Sequence, residues 1–153
     1  MIRKHKKILI IFSVLLICIA LLWFFQNFRF IIVNGNSMSP SLNDGEIILT
    51  KKKTNTVNID NIIIFKINNE LFIKRIIAVS GDRVVVDESL GIVYVNGIEK
   101  IHYSAIPAGE KKEIIIPNNK FFVVGDNYND SIDSRNNSIG LVDINTIEAV
   151  LVK

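Results

Sequence analysis

The sequence predicts a mainly β protein, a folded-over antiparallel sheet standing behind one N-terminal transmembrane helix. Three observations carry that prediction. Residues Ile8 to Phe25 run for eighteen residues without a charge, a length reached nowhere else in the chain. After them, short runs rich in Ile, Val and Phe alternate with Asn, Asp and Gly at close spacing, the pattern of many short strands joined by tight turns. No later stretch has capped helical periodicity.

The apolar run comes first. As a helix rising 1.5 Å per residue it reaches roughly 27 Å, close to the ~30 Å hydrocarbon core of a bilayer. Arg3, Lys4, Lys6 and Lys7 precede it, so the positive-inside rule places the N-terminus in the cytoplasm and everything from about Asn27 outside. Trp23, Phe24, Phe25 and Phe28 gather at the far end, as an interfacial belt does. The expected organisation is a basic cytoplasmic segment 1–7, an anchor 8–26 and an extracytoplasmic domain 27–153. The rival is a cleaved signal peptide. Its best cleavage sites, around Cys18-Ile19-Ala20, lie inside the apolar run rather than after it, which favours a retained anchor.

Strands are then expected at Phe28–Val33, Glu46–Thr50, Asn61–Lys66, Leu71–Val79, Arg83–Asp87, Gly91–Val95, Glu113–Ile116, Lys120–Val124 and Thr146–Val152. The Asn96-Gly97 pair, flanked by Tyr94-Val95 and Ile98-Glu99, signals a hairpin because both residues tolerate the positive φ of a type I′ turn. Ile106-Pro107-Ala108-Gly109 reads as an exposed loop. Several strands are apolar throughout, so the sheet is expected to fold over a single core.

Charge narrows the function. The chain carries 18 Lys+Arg against 15 Asp+Glu, a net of +3. Taking away the four basic residues before the anchor leaves 14 against 15, a net of −1. A nucleic-acid binder is basic in its folded part, so nucleic acid is not an expected partner; Lys51-Lys52-Lys53 reads as a solvated loop. The only cysteine, Cys18, lies in the anchor, which removes thiol catalysis and internal disulfides. His5 is on the cytoplasmic side and His102 stands alone, so no Ser-His-Asp triad assembles. No cofactor is implied and no metal: the Asp/Asn-rich stretch Gly125–Arg135 lacks the glycine at the sixth position and the glutamate at the twelfth that a calcium loop needs.

What remains is serine and lysine. Ser37 sits in Gly35-Asn36-Ser37-Met38-Ser39-Pro40-Ser41-Leu42. A lone serine there is ordinarily a turn residue, but glycine on one side permits unusual backbone geometry and proline stiffens the other. Lys74 lies in Leu71-Phe72-Ile73-Lys74-Arg75-Ile76-Ile77, where alternation puts Phe72, Lys74 and Ile76 on one face. Apolar neighbours desolvate the ammonium and lower its pKa, which a lysine general base requires; a snorkelling surface lysine is the plain alternative. In Gly125–Arg135, Ser131, Asp133 and Arg135 set a hydroxyl and a carboxylate two residues apart before an arginine, suited to orienting a neutral lysine and locking a loop by ion pairing.

These three stretches, in order behind one anchor, resemble the bacterial type I signal peptidases of the compact single-anchor kind. The resemblance spans nearly the whole chain. It implies that Ser37 is the nucleophile, that Lys74 is its general base, and that Ser131 hydrogen-bonds and orients the lysine. It implies structural support from Asp133, Arg135 and Arg75, and shallow apolar pockets lined by Met38, Leu42 and Ile73 for small residues at substrate positions −1 and −3. It further implies that the Ser37 backbone N–H forms one arm of an oxyanion hole, worth about 3 kcal/mol by analogy with other such donors. The second donor is unassigned, because Gly35 stands where some members carry a serine. The implied function is removal of signal peptides from exported preproteins at small-x-small sites, with the bilayer as the other partner. Two alternatives compete: a self-cleaving repressor-type Ser-Lys peptidase, which shares this catalytic fold but needs a soluble DNA-linked domain, and an inactive anchored β scaffold, which predicts loss of Ser37 or Lys74.

Overall fold

In the computed structural model residues 2–52 and 56–152 are described, residues 2–5 and 8 by backbone alone. Lys53 of the basic run, and the side chains of Arg3, Lys4 and His5, therefore lie outside the described residues. Helix α1 spans Ile2–Asn27 and includes the basic residues as well as the apolar run, since nothing between Arg3 and Ile8 interrupts a helix. A 19-residue segment, Leu9–Asn27, is long and apolar enough to cross a bilayer, and none of its residues is buried in the rest of the chain. The helix ends where Asn27 Nδ2 turns back to the Trp23 carbonyl at 2.8 Å. Lys52 Nζ caps the Phe25 carbonyl at 2.6 Å, a cation where the helix dipole favours one.

Eleven strands follow among the described residues. A seven-stranded sheet has the order β1-β2-β11-β3-β4-β9-β10, and a four-stranded sheet the order β7-β6-β5-β8. The strands are β1 (Phe28–Ile32), β2 (Ile47–Lys52), β3 (Ile62–Ile67), β4 (Glu70–Ala78), β5 (Arg83–Asp87), β6 (Ile92–Val95), β7 (Ile98–His102), β8 (Lys111–Ile115), β9 (Lys120–Val124), β10 (Val142–Asp143) and β11 (Ile147–Leu151). Every pairing is antiparallel. Asn96 and Gly97, at φ 52° and 79°, make the expected two-residue turn between β6 and β7. Asn68-Asn69, at φ 47° and 72°, makes another between β3 and β4, so β4 starts at Glu70 and ends at Ala78, one residue earlier at each end than expected. The two-residue strand β10 carries no pattern of its own and was not expected.

The single core expected from the sequence is instead three clusters. Four consecutive residues of β3, Ile62 to Phe65, are buried, and a strand apolar on both faces must be covered on both. One face of β3 and β4 packs Ile63, Phe65 and Ile76 with Val123 and Ile147. The opposite face places Ile62 with Val33, Met38, Leu42 and Ile48. The third cluster joins the two sheets through Ile77, Ala78, Phe122 and Val124 on the larger and Val84, Val86, Val93 and Val95 on the smaller.

Candidate active site

Strand β4 pairs with β3 over Glu70–Arg75 and with β9 only from Arg75 onward. Its first half, Leu71 to Lys74, thus has a free edge. That edge, the chain from Ile31 to Met38 and the loop Asn129–Ile132 line one groove of about 800 Å³.

Ser37 reaches the groove from a compact turn. Ser39 N–H donates to the Asn36 carbonyl at 3.0 Å and Leu42 N–H to the Met38 carbonyl at 3.0 Å, one helical turn. Four-residue spacing on a helical turn points both side chains the same way, so Met38 and Leu42 are both driven into the cluster beneath, 1% and 4% exposed. This corrects the pocket expected from sequence: Leu42 is a buried prop of the serine turn and does not line the groove, whereas Met38 and Ile73 do.

Lys74 comes from the opposite wall. It lies across from Ile63 on β3 and is only 3% exposed. Its Nζ donates to Ser37 Oγ at 2.7 Å; the same separation lets a neutral amine accept the Oγ–H. Burial pushes the lysine pKa below its ordinary value; the Asp133 carboxylate opposes that, Arg135 reinforces it, and Asp126 opposes it again. The Ser37 backbone N–H donates to no group among the described residues.

Two ion pairs frame this contact. Asp133, fully buried, accepts from Arg135 Nε and Nη2 at 2.8 Å each and from the Gly125 N–H at 3.0 Å. Arg75 forms the second, donating to Asp126 Oδ1 at 2.7 Å and Oδ2 at 2.6 Å, with a further bond to the Asp60 carbonyl at 3.1 Å. Burial works to raise the Asp126 pKa, but the bonds from Arg75 and Ser41 and the charges of Arg75 and Lys74 together hold the carboxyl below its usual range. Arg75 therefore supports the start of the loop rather than the Asp133–Arg135 pair. Asn127 N–H donates to the Ser37 carbonyl at 3.0 Å and its side chain to the Asn36 carbonyl at 3.2 Å, stitching loop to serine turn. Gly125 permits this approach: a Cβ there would overlap Ser131 Oγ and the Ser37 carbonyl.

Ser131 lines the groove, but its Oγ is buried without a hydrogen-bond partner. The bond to Lys74 expected of it is not made in this structure. His102 lies on β7, bonded to Glu99 at 2.9 Å, and does not line the groove. Sequence reasoning gave no role to Asp126 or Asn127. Asp126 is distinguishable only by its partner, an arginine 51 residues away, and no local pattern announces such a pair.

Over residues 5–152 the chain matches the family described as signal peptidase, peptidase S26. It is 31% identical over 151 residues to signal peptidase I of Bacillus amyloliquefaciens, covering 87% of this chain and 80% of that one. Signal peptidase I S of Bacillus subtilis (strain 168) is 29% identical over 154 residues, with 88% and 82% covered. Signal peptidase IB of Staphylococcus aureus (strain COL) is 31% identical over 135 residues, with 72% and 69% covered. A long apolar N-terminal helix beside these relatives fits a membrane-anchored protein. With the family matched from the helix to the last strand, the chain belongs to the signal peptidase (peptidase S26) family.

Proposed function

We propose that this chain is a membrane-anchored Ser-Lys endopeptidase that removes signal peptides from preproteins outside the cytoplasmic face of the membrane. The observation that carries the reading is the 2.7 Å contact between Ser37 Oγ and a lysine that is 3% exposed. A buried, neutral Lys74 takes the Oγ proton as the oxygen attacks the scissile carbonyl. The Ser37 N–H, unengaged among the described residues, is left to meet the developing oxyanion. Lys74 then passes its proton to the leaving amine, releasing the mature chain and leaving the signal peptide esterified to Ser37. The same amine next takes a proton from water, and hydrolysis of the ester regenerates the serine.

The free edge of Leu71–Lys74 supports an extended substrate that adds a strand there. Met38 and Ile73 give its side chains a shallow apolar floor, suited to small residues at −1 and −3. Four basic residues before the apolar helix support a cytoplasmic N-terminus and a catalytic domain on the opposite side. The test incubates the detergent-solubilised full chain with a preprotein bearing an Ala-x-Ala site. Cleavage after the second alanine is expected from the wild type and none from Ser37→Ala or Lys74→Ala; cleavage by either variant at the wild-type rate contradicts the reading. Protease protection of the domain in intact cells, as for a cytoplasmic protein, contradicts the topology.

A further inference from the structure

The chemistry above makes no use of Tyr103, yet this residue touches the loop that carries Ser131. It follows β7 and joins the smaller sheet to the catalytic loop. Its N–H donates to the Gly91 carbonyl at 2.8 Å, and Gly91 has φ +67° with no room for a Cβ against the Tyr103 carbonyl. The segment is thus pressed onto the smaller sheet. The next N–H, of Ser104, donates to Asn129 Oδ1 at 2.7 Å, and Asn129 lines the substrate groove.

The Tyr103 ring lies 4.7 Å from the Arg135 guanidinium carbon, stacked face to cation, an attractive geometry for arginine. Arg135 in turn holds Asp133 with two bonds of 2.8 Å and reaches the Ser131 carbonyl at 3.5 Å. Behind the loop is a second cavity of about 360 Å³, lined by Glu88, Tyr103, Tyr128, Ser131 and Arg135 among others. Glu88, paired with Lys112 at 3.0 Å, is the carboxylate that lines that cavity. Without the ring, that cavity opens toward the Arg135 guanidinium. The Tyr103 hydroxyl is buried with no partner, so the face of the ring, not the oxygen, makes the contact.

We propose that Tyr103 is a positioning residue whose ring holds Arg135 on Asp133 and so fixes the balance of charge around Lys74. The inference rests on the Ser37–Lys74 reading. The charges acting on Lys74 are Asp133 and Arg135 from the loop and Asp126 from the end of β9, the last neutralised by Arg75 on β4. Around the ring stand Arg135, Glu88, Asp87 and Asp133; Lys112 and Lys111 of β8 pair with Glu88 and Asp87. Of these groups it is Arg135 whose face the ring covers, so its hold on Asp133 is what loss of the ring loosens. If Arg135 leaves, Asp133 acts on Lys74 uncompensated, the ammonium is favoured, and a higher pH is needed to make the neutral base.

The experiment measures kcat/KM against pH for the full-length enzyme in detergent, on a preprotein substrate, for wild type, Tyr103→Phe, Tyr103→Leu and Tyr103→Met. The phenylalanine keeps the ring and is expected to reproduce the wild-type profile. The leucine and methionine variants are expected to move the rising limb up by about one pH unit, lowering kcat on that limb about tenfold with KM little changed. A leucine or methionine variant that melts cooperatively yet keeps the wild-type limb overturns the proposal. So does a displaced limb in Tyr103→Phe, which is the milder change should the other two fail to fold. A wild type with no lysine-governed rising limb defeats the Ser-Lys reading itself; a wild-type limb that Tyr103 variants leave in place defeats only the role of Tyr103.

Discussion

Burying a lysine costs stability unless the amine gives up its proton, and Lys74 is placed to do so. Its pKa in the folded chain is depressed by burial, so between that value and the ordinary lysine value of about 10.4 the unfolded chain binds the extra proton. Stability contributed by Lys74 is therefore present above the unfolded pKa and lost as pH falls through the folded one. Lys74→Met is expected to melt higher than wild type at neutral pH, with the gain shrinking toward pH 10, while activity falls about 10²–10⁴-fold as for loss of a general base; a lower melting temperature at pH 7 contradicts this. Gly125→Ala tests the close approach of loop and serine turn. With Ser131 Oγ and the Ser37 carbonyl in the way, it is expected to destabilise by about 1–3 kcal/mol in urea unfolding and to depress kcat. Both positions show how uneven sequence legibility is. The strand alternation around Lys74 is visible residue by residue, whereas the burial of Leu42 follows from a helical turn that Gly35 and Pro40 do not reveal.

At the scale of elements, the site is a seam between the serine turn, β4 and the Gly125–Arg135 loop, closed by ion pairs. The Arg75–Asp126 pair is half-buried, with side chains 22% and 10% exposed, and both carboxylate oxygens are engaged. Arg75→Lys keeps the charge but not the two-pronged geometry; a loss of about 1–2 kcal/mol is expected in urea unfolding, with Arg75→Ala costing more. Equal stability of Arg75→Lys and wild type contradicts a geometric role. Strands and hairpins were legible because period-two alternation and the Asn-Gly turn are local signals. The partnering of Arg75 with Asp126, and the Asn127 bonds to the serine turn, were not, because they are fixed by a sheet order that brings β9 beside β4 only from Arg75 onward. Ser131 falls between: a hydroxyl in the stretch that carries the Asp133–Arg135 pair was readable, its unbonded state was not.

For the whole molecule, Phe24 is the one apolar residue of Leu9–Asn27 that is even half-buried, and none of the three core clusters draws on α1. Its ties are the Lys52 cap on Phe25 and the stacking of Phe24 on Phe28 at 5.2 Å. A chain cut to residues 27–153 is expected to keep cooperative unfolding and a melting temperature within a few degrees of the full chain, while losing sedimentation with liposomes; failure to fold contradicts an independent domain. The three cores explain why the β class was readable but the number of cores was not, since an apolar run such as Ile62-Ile63-Ile64-Phe65 says that both faces are covered without saying by what. All of this scaffolding serves one contact, and the most direct test of it is the titration of Lys74 itself. Lysine side-chain ¹³Cε NMR of the full chain in micelles, with Lys74 assigned by its loss in Lys74→Met, reports that pKa. A midpoint well below about 10.4 is expected for a buried general base; a midpoint at or above that value contradicts the Ser37–Lys74 mechanism.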